Sequence, residues 1–286
     1  MIVEWLYEPF MYGFMTRAFI GTSLIAALAA MIGVFIVLKG LAFIGDAVAH
    51  TSFTGLAISL LLGWNLYIGA FLLAFITAVG ITFLHRTAKV RHDTALAILF
   101  TGAFAAGVII MSSMPSYAGD LSALLLGSVL AIRTQELYMI IAAVIVIAVL
   151  LWFNFHRLVF VAFDPVGAEA AGLPVVWLQL LLMLMLSASV VVSIQTVGVI
   201  LVMALLITPA ATAGIFTKKL GKMMLLAAGF GLAATWIGLY ISYYFAVPPG
   251  ATIVVTATGE FAVSLGIRQI QRRLRLVQLA KGAVQR

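Results

Sequence analysis

Apolar residues run along this chain in long unbroken stretches, and polar ones gather in the short gaps between them. The stretches cover 14–38, 41–62, 66–84, 94–114, 137–155, 176–194, 197–216, 223–245 and 251–267. Each is close to the ~20 residues that carry a helix across a bilayer, where only helices and closed barrels satisfy every backbone group. Continuous rather than alternating hydrophobicity selects helices over a barrel. The pattern predicts an all-α integral membrane protein, a polytopic bundle of eight to nine transmembrane helices filling 1–267. Segment 121–134 is apolar but too short to cross and reads as a re-entrant or interfacial piece.

The gaps orient the bundle. Arg86, Lys89 and Arg91 form one basic cluster, and Lys218, Lys219 and Lys222 a second. Arg268, Arg272, Arg273, Arg275, Lys281 and Arg286 make a basic tail over 268–286. In a nine-span chain all three fall on one side, which the excess of Lys and Arg in inner loops makes the cytoplasm. The N-terminus is then extracytoplasmic, the C-terminus cytoplasmic, and the gap holding Asp120 external. The net charge of +7 therefore reads as loop topology and not as a nucleic-acid surface. With 65% hydrophobic residues and 9% charged, a soluble domain with one core is excluded. There is no cysteine for a thiolate site, and Glu4 and Glu8 stand where a cleavable signal would carry Lys or Arg. No GxxxxGK[ST] phosphate loop occurs, so any ATP hydrolysis belongs to another chain.

Within the second stretch, GDAVAH sets Asp46 and His50 four residues apart. On a helix they share a face about 5–6 Å apart at Cβ, close enough to chelate. An ionised residue at membrane depth costs about 2.5–3.5 kcal/mol on insertion scales, which makes an intramembrane Asp beside a His a functional hypothesis. Carboxylate and imidazole suit zinc, manganese or ferrous iron and not copper(I). The plainer reading is a hydrogen-bonded pair tying two helices. Glu260 in TATGEF is the other acid inside a stretch. Counting residues puts it and His50 at similar mid-bilayer depth, as a third ligand or gating acid; capping a helix break or pairing with Arg is the alternative. His85, His92 and His156 fall at inner helix ends and read as interfacial, and the twelve methionines are scattered as packing.

FDPVGAEAAGLPV, 163–175, is the second informative gap. Asp164 before Pro165 reads as an N-cap with proline at N1, and Gly172 as a C-terminal stop. A short cytoplasmic helix with small residues can seat in a groove of a soluble partner; the alternative is a connecting loop. Nearby, Gln195 and Thr196 read as a tight outer turn, and Pro209 as a kink within ITPAATA.

The pieces LKGLAFIGDAVAHTSFTG, LLLGSVLAI, FDPVGAEAAGLPV and LLITPAATA span nearly the whole chain. Together they resemble the zinc, manganese and iron permease family of ATP-binding-cassette importers. The resemblance implies a type II importer permease, not an enzyme, that works as a homodimer in the bacterial plasma membrane. It implies two cytoplasmic ATP-binding subunits, an extracytoplasmic metal-binding protein, and no permanently bound cofactor beyond the transported Mn2+ or Zn2+. On this resemblance Asp46 and His50 match the cation site. Segment 163–175 matches the coupling helix, with Glu169, Ala170, Ala171 and Gly172 echoing the importer EAA and Gly pattern. Glu260 has no counterpart in it. The lack of a His-rich loop leans toward manganese over zinc. A transfer site of this kind binds weakly, and because the imidazole ligates only when neutral, its affinity falls in mild acid. The rivals are a proton-coupled secondary transporter or channel built on Asp46 and Glu260, and an intramembrane metalloenzyme, for which no HExxH is present.

Overall fold

Every long apolar stretch folds as a helix. The computed structural model describes residues 7–87, 92–113 and 127–284, with the side chains of 85–87, 92–93 and 275–284 outside that description. After a 3-10 turn at Glu8–Met11 come α1 (Gly13–Leu38), α2 (Ile44–Leu62), α3 (Leu66–Thr87), α4 (His92–Ser112) and α5 (Thr134–Phe163). Then follow α6 (Pro165–Ala170), α7 (Val175–Val197), α8 (Val199–Phe216), α9 (Leu220–Phe245) and α10 (Pro249–Val284). All but α6 are long and apolar enough to span, nine among the described residues, so the first stretch counts as a span. Alternating along the chain, α6, Lys218, Lys219, Lys222, Arg268, Arg272 and Arg273 share one end, here the basic end. The gap 88–91, with Lys89 and Arg91, lies outside the described residues, as do Asp120 and segment 121–126.

Small residues decide which helices meet. α1 and α2 are the most buried spans, and α4, α5 and α10 the most exposed. α1 packs on α8, α9 and α5. At its closest approach to α8, a methyl added at Gly33 would land on the carbonyl oxygen of Leu206. Without a hydrophobic force between helices in lipid, such close backbone crossings supply the dispersion contact that holds spans together. α2 packs on α3 in the same way, with Gly55 against Gly69.

Several boundaries differ from the sequence reading. α7 runs through Gln195 and Thr196, where a turn was expected, and stops only at Gly198. Neither residue halts a helix: the Thr196 hydroxyl donates to the carbonyl of Ser193 at 2.9 Å within the last turn. Gly198, at φ 83° and ψ 162°, does the turning alone, sending α7 toward α5 and α3 and α8 toward α1, α9 and α10. α5 continues past His156 and Arg157 to Phe163, and α10 passes unbroken through the expected boundary at 267. The described part of the interfacial segment, 127–133, is a 3-10 turn (Val129–Ala131) rather than a span. It is held by Ser128 N–H donating to the Thr196 carbonyl at 3.3 Å and Arg17 Nε donating to that of Ile132 at 2.9 Å.

The conformation of Gly198 is one that L side chains rarely adopt, and strained residues of this kind cost about 1–3 kcal/mol. Gly198→Ala is expected to lower the thermal unfolding midpoint in detergent, while Gly229→Ala, where an added Cβ meets open space on α9, leaves it unchanged. Equal midpoints for the two variants would refute this role for Gly198.

Candidate functional site

α2 is the least apolar of the spans, because it carries Asp46 and His50 together with the buried hydroxyls of Thr51, Ser52, Thr54 and Ser59, of which Ser59 alone has no hydrogen-bond partner among the described residues. Hydroxyls survive at that depth by bonding backbone carbonyls of their own or a neighbouring helix. Ser52 Oγ donates to the Val48 carbonyl at 2.6 Å and Thr51 Oγ1 to the same carbonyl at 3.2 Å. Thr54 reaches across instead, donating to the Ala103 carbonyl of α4 at 2.7 Å. Gly107 lies against Thr54, where any side chain would collide, so α4 is pressed onto α2 at this level.

This crossing builds the surroundings of His50, which stands one turn before Thr54. Phe100 and Phe104, one turn apart on α4 and stacked with centroids 6.1 Å apart, lie together against one side of the imidazole, their ring centroids 5.1 and 5.3 Å from it. On the opposite side of α2, Gly45 faces Leu206 and Met203 of α8, with no room for a side chain. The imidazole is therefore packed on this aromatic pair, with its Nε2 3.4 Å from Asp46 Oδ1. That distance is too long for a well-formed hydrogen bond. His50 Nδ1 is buried with no hydrogen-bond partner.

Asp46 is the open member, its side chain 42% exposed against 22% for His50. It faces a groove of about 210 Å³ lined by Phe43, Ala47, Leu96, Ala97 and Phe100. The carboxylate sits in the first turn of α2, where an acid complements the positive end of the helix dipole. The pair lies nearer the basic end than residue counting from Leu41 suggested. α2 starts only at Ile44, which leaves His50 ~9 Å along a helix of ~28 Å at 1.5 Å per residue.

Glu260 is half-buried on α10, ~16 Å from its start by the same rise. α10 packs on α8 and α9. Among the described residues no three His, Cys, Asp or Glu side chains come together, so one copy does not join Glu260 to Asp46 and His50. His156 is exposed on α5, while the side chains of His85 and His92 lie outside the described residues. One copy thus brings two donors together, an oxygen that lines the α2–α4 groove and a nitrogen 3.4 Å from it. Phe100 and Phe104 were missed in the sequence; their signal was an aromatic pair at i and i+4 in the small-residue run TGAFAAG and the residue before it.

At the basic end, 163–175 folds as its residues dictate. Asp164 Oδ1 accepts from the N–H of Gly167 at 2.8 Å, Pro165 opens α6, and Gly172 closes it at φ 79°. Leu173 N–H returns to the Ala168 carbonyl at 3.0 Å, completing the cap. Ala168 is fully buried and anchors the helix, while Glu169, Ala170, Ala171 and Gly172 are exposed. Val166 is 77% exposed, with Phe163 and Trp177 also open around it. The sequence reading named the small residues here but not this apolar patch.

Comparison with known proteins gives the family of the chain. The model of the ABC 3 transport family matches residues 11–268. The manganese transport system membrane protein MntC of Listeria monocytogenes is 43% identical over 254 residues, covering 88% of this chain and 90% of that protein. The manganese import system permease protein ScaB of Streptococcus gordonii is 36% identical, covering 96% and 99%. Among solved structures, PsaBC from Streptococcus pneumoniae in complex with Fab matches with a TM-score of 0.85 and 35% identity, covering 96% of this chain and 99% of that one.

Proposed function

We infer that this chain, which belongs to the ABC 3 transport family, is the membrane-spanning permease of an ATP-driven importer of divalent transition-metal ions, with manganese as its principal cargo. The observation that carries the reading is the two-donor pair: an open carboxylate lining the α2–α4 groove and, 3.4 Å from it, an imidazole packed on an aromatic pair. Relatives named for manganese transport support the choice of metal.

Two donors do not close a coordination shell. A second copy, related by a two-fold axis, supplies the same pair and brings the protein ligands to four, with water completing the shell. Metal released by an extracytoplasmic binding protein enters at the end opposite the basic end and is partly dehydrated between the two copies. The site holds it loosely for two reasons. His50 Nδ1 has no acceptor to raise the basicity of Nε2, and the positive end of α2 opposes a resident cation. Loose binding is what a site needs if it must release its ion at each cycle. The basic end is cytoplasmic, so α6 faces the ATP-binding subunits there, and their nucleotide-driven motion opens the inward path.

The test is uptake by vesicles holding the chain with its co-purified ATP-binding subunit and supplied outside with the metal-loaded binding protein. Manganese accumulation is expected to require ATP inside and to persist when the proton gradient is collapsed. Accumulation that follows the proton gradient without ATP would replace this reading with the secondary transporter, Asp46 and Glu260 being its acids.

A further inference from the structure

α5 and α9 both pack on α1 and leave between them a groove of about 690 Å³ toward the basic end. Met31 of α1, Leu151 and Trp152 of α5, and Met224 and Leu225 of α9 make its walls apolar. Trp152 is 82% exposed and Leu225 75%, so nothing in the folded chain covers it. Its mouth at the basic end is cationic. Arg157 stands one turn beyond the lining residue Phe153, and Lys222 one turn before Leu225, so each projects from the same helix face as a wall of the groove. Lys218 and Lys219 precede Lys222 on the same loop and helix start. Among the described residues none of these four exposed cations is paired with an acid.

An apolar trough at acyl-chain depth under a cluster of unpaired cations complements one kind of molecule. We propose that this groove binds an anionic phospholipid of the leaflet at the basic end. Its acyl chains lie along Met31, Trp152 and Leu225, and its phosphate meets Arg157 and Lys222. Charge argues against a second copy as occupant. A two-fold contact through this face would set Arg157 and Lys222 against their own equivalents, which is repulsive. Basic pockets between spans on the inner side are suited to anionic headgroups, each Lys or Arg strengthening attraction severalfold.

The experiment is native mass spectrometry of the chain with its ATP-binding partner, taken from phosphatidylcholine bilayers containing phosphatidylglycerol. Phosphatidylglycerol is expected to stay bound in preference to phosphatidylcholine. The double change Arg157→Gln and Lys222→Gln is expected to lower that retention on the order of twentyfold. Ala148→Phe, which fills the groove and leaves the charges, is expected to lower it as well. Retention of both lipids alike, or unchanged retention in the double variant, overturns the proposal. So does efficient cross-linking of Trp152→Cys to its counterpart in membranes, which would make a second copy the occupant; the chain has no cysteine of its own to confuse that result.

Discussion

Replacing His50 by Gln, or Asp46 by Asn, is expected to cut manganese uptake on the order of a hundredfold or more, since losing even an outer-shell partner of a metal site costs 10–100-fold. The folded chain is expected to unfold no more easily. The Asp46–His50 contact is long and His50 Nδ1 has no partner, so neither change breaks a well-formed hydrogen bond within the bundle. α2 keeps its seat through Thr54, Gly55 and Gly45, which the change does not touch. Transport and stability therefore separate the two readings of the pair. A structural tie predicts lost stability with transport lowered only in proportion; a cation site predicts lost transport at unchanged stability. Radioactive manganese uptake and thermal unfolding on the same preparations decide it, and uptake within threefold of the unaltered chain would sink the cation site. Replacing Phe100 and Phe104 together by Leu is expected to give an intermediate loss of about tenfold, because the imidazole keeps its chemistry but loses the rings that aim it.

Val166→Asp is expected to release the ATP-binding subunit and to stop uptake while leaving the bundle folded. Val166 is exposed on α6, whose anchor is Ala168 and whose caps are Asp164 and Gly172, so the change meets no packed neighbour within the chain. Most of the effect comes from the new charge, since an uncompensated carboxylate buried in a contact costs about 3–5 kcal/mol, well over a hundredfold in affinity. Glu169→Trp is expected to act in the same direction by bulk. Co-purification from gently solubilised membranes reads the effect directly. A Val166→Asp chain that still brings down its ATP-binding subunit at full yield would show that α6 is not the docking helix.

What the residues announced in advance was whatever a local rule governs. Asp164, Pro165 and Gly172 cap α6 as their chemistry requires, and the nine runs became nine spans because lipid leaves the backbone no alternative. Hydropathy was blind to where a helix begins when the turn before it is also apolar. Leu41, Ala42 and Phe43 prolong the second run past the true start of α2, and this misplaced Asp46 and His50 along the span. It was equally blind at Gly198, where one residue does what a polar turn was expected to do. Phe100 and Phe104 could not be assigned to His50 from the pattern, because their role arises from the Thr54–Ala103 stitch between helices 49 positions apart in sequence.

Only Asp164 separates α5 from α6. α5 is an unbroken run of 30 residues, ~45 Å at 1.5 Å per residue. Anything that rocks α6 has a lever in its grip. A tilt of about 5° at the basic end would sweep the far end of a 45 Å rod through about 4 Å. That far end begins beside Ile132, which Arg17 fastens to α1, and Ser128, which is fastened to the end of α7. The stroke would thus arrive at the outer mouth of the bundle, where the chain's one-residue hinge at Gly198 lies against Gly127.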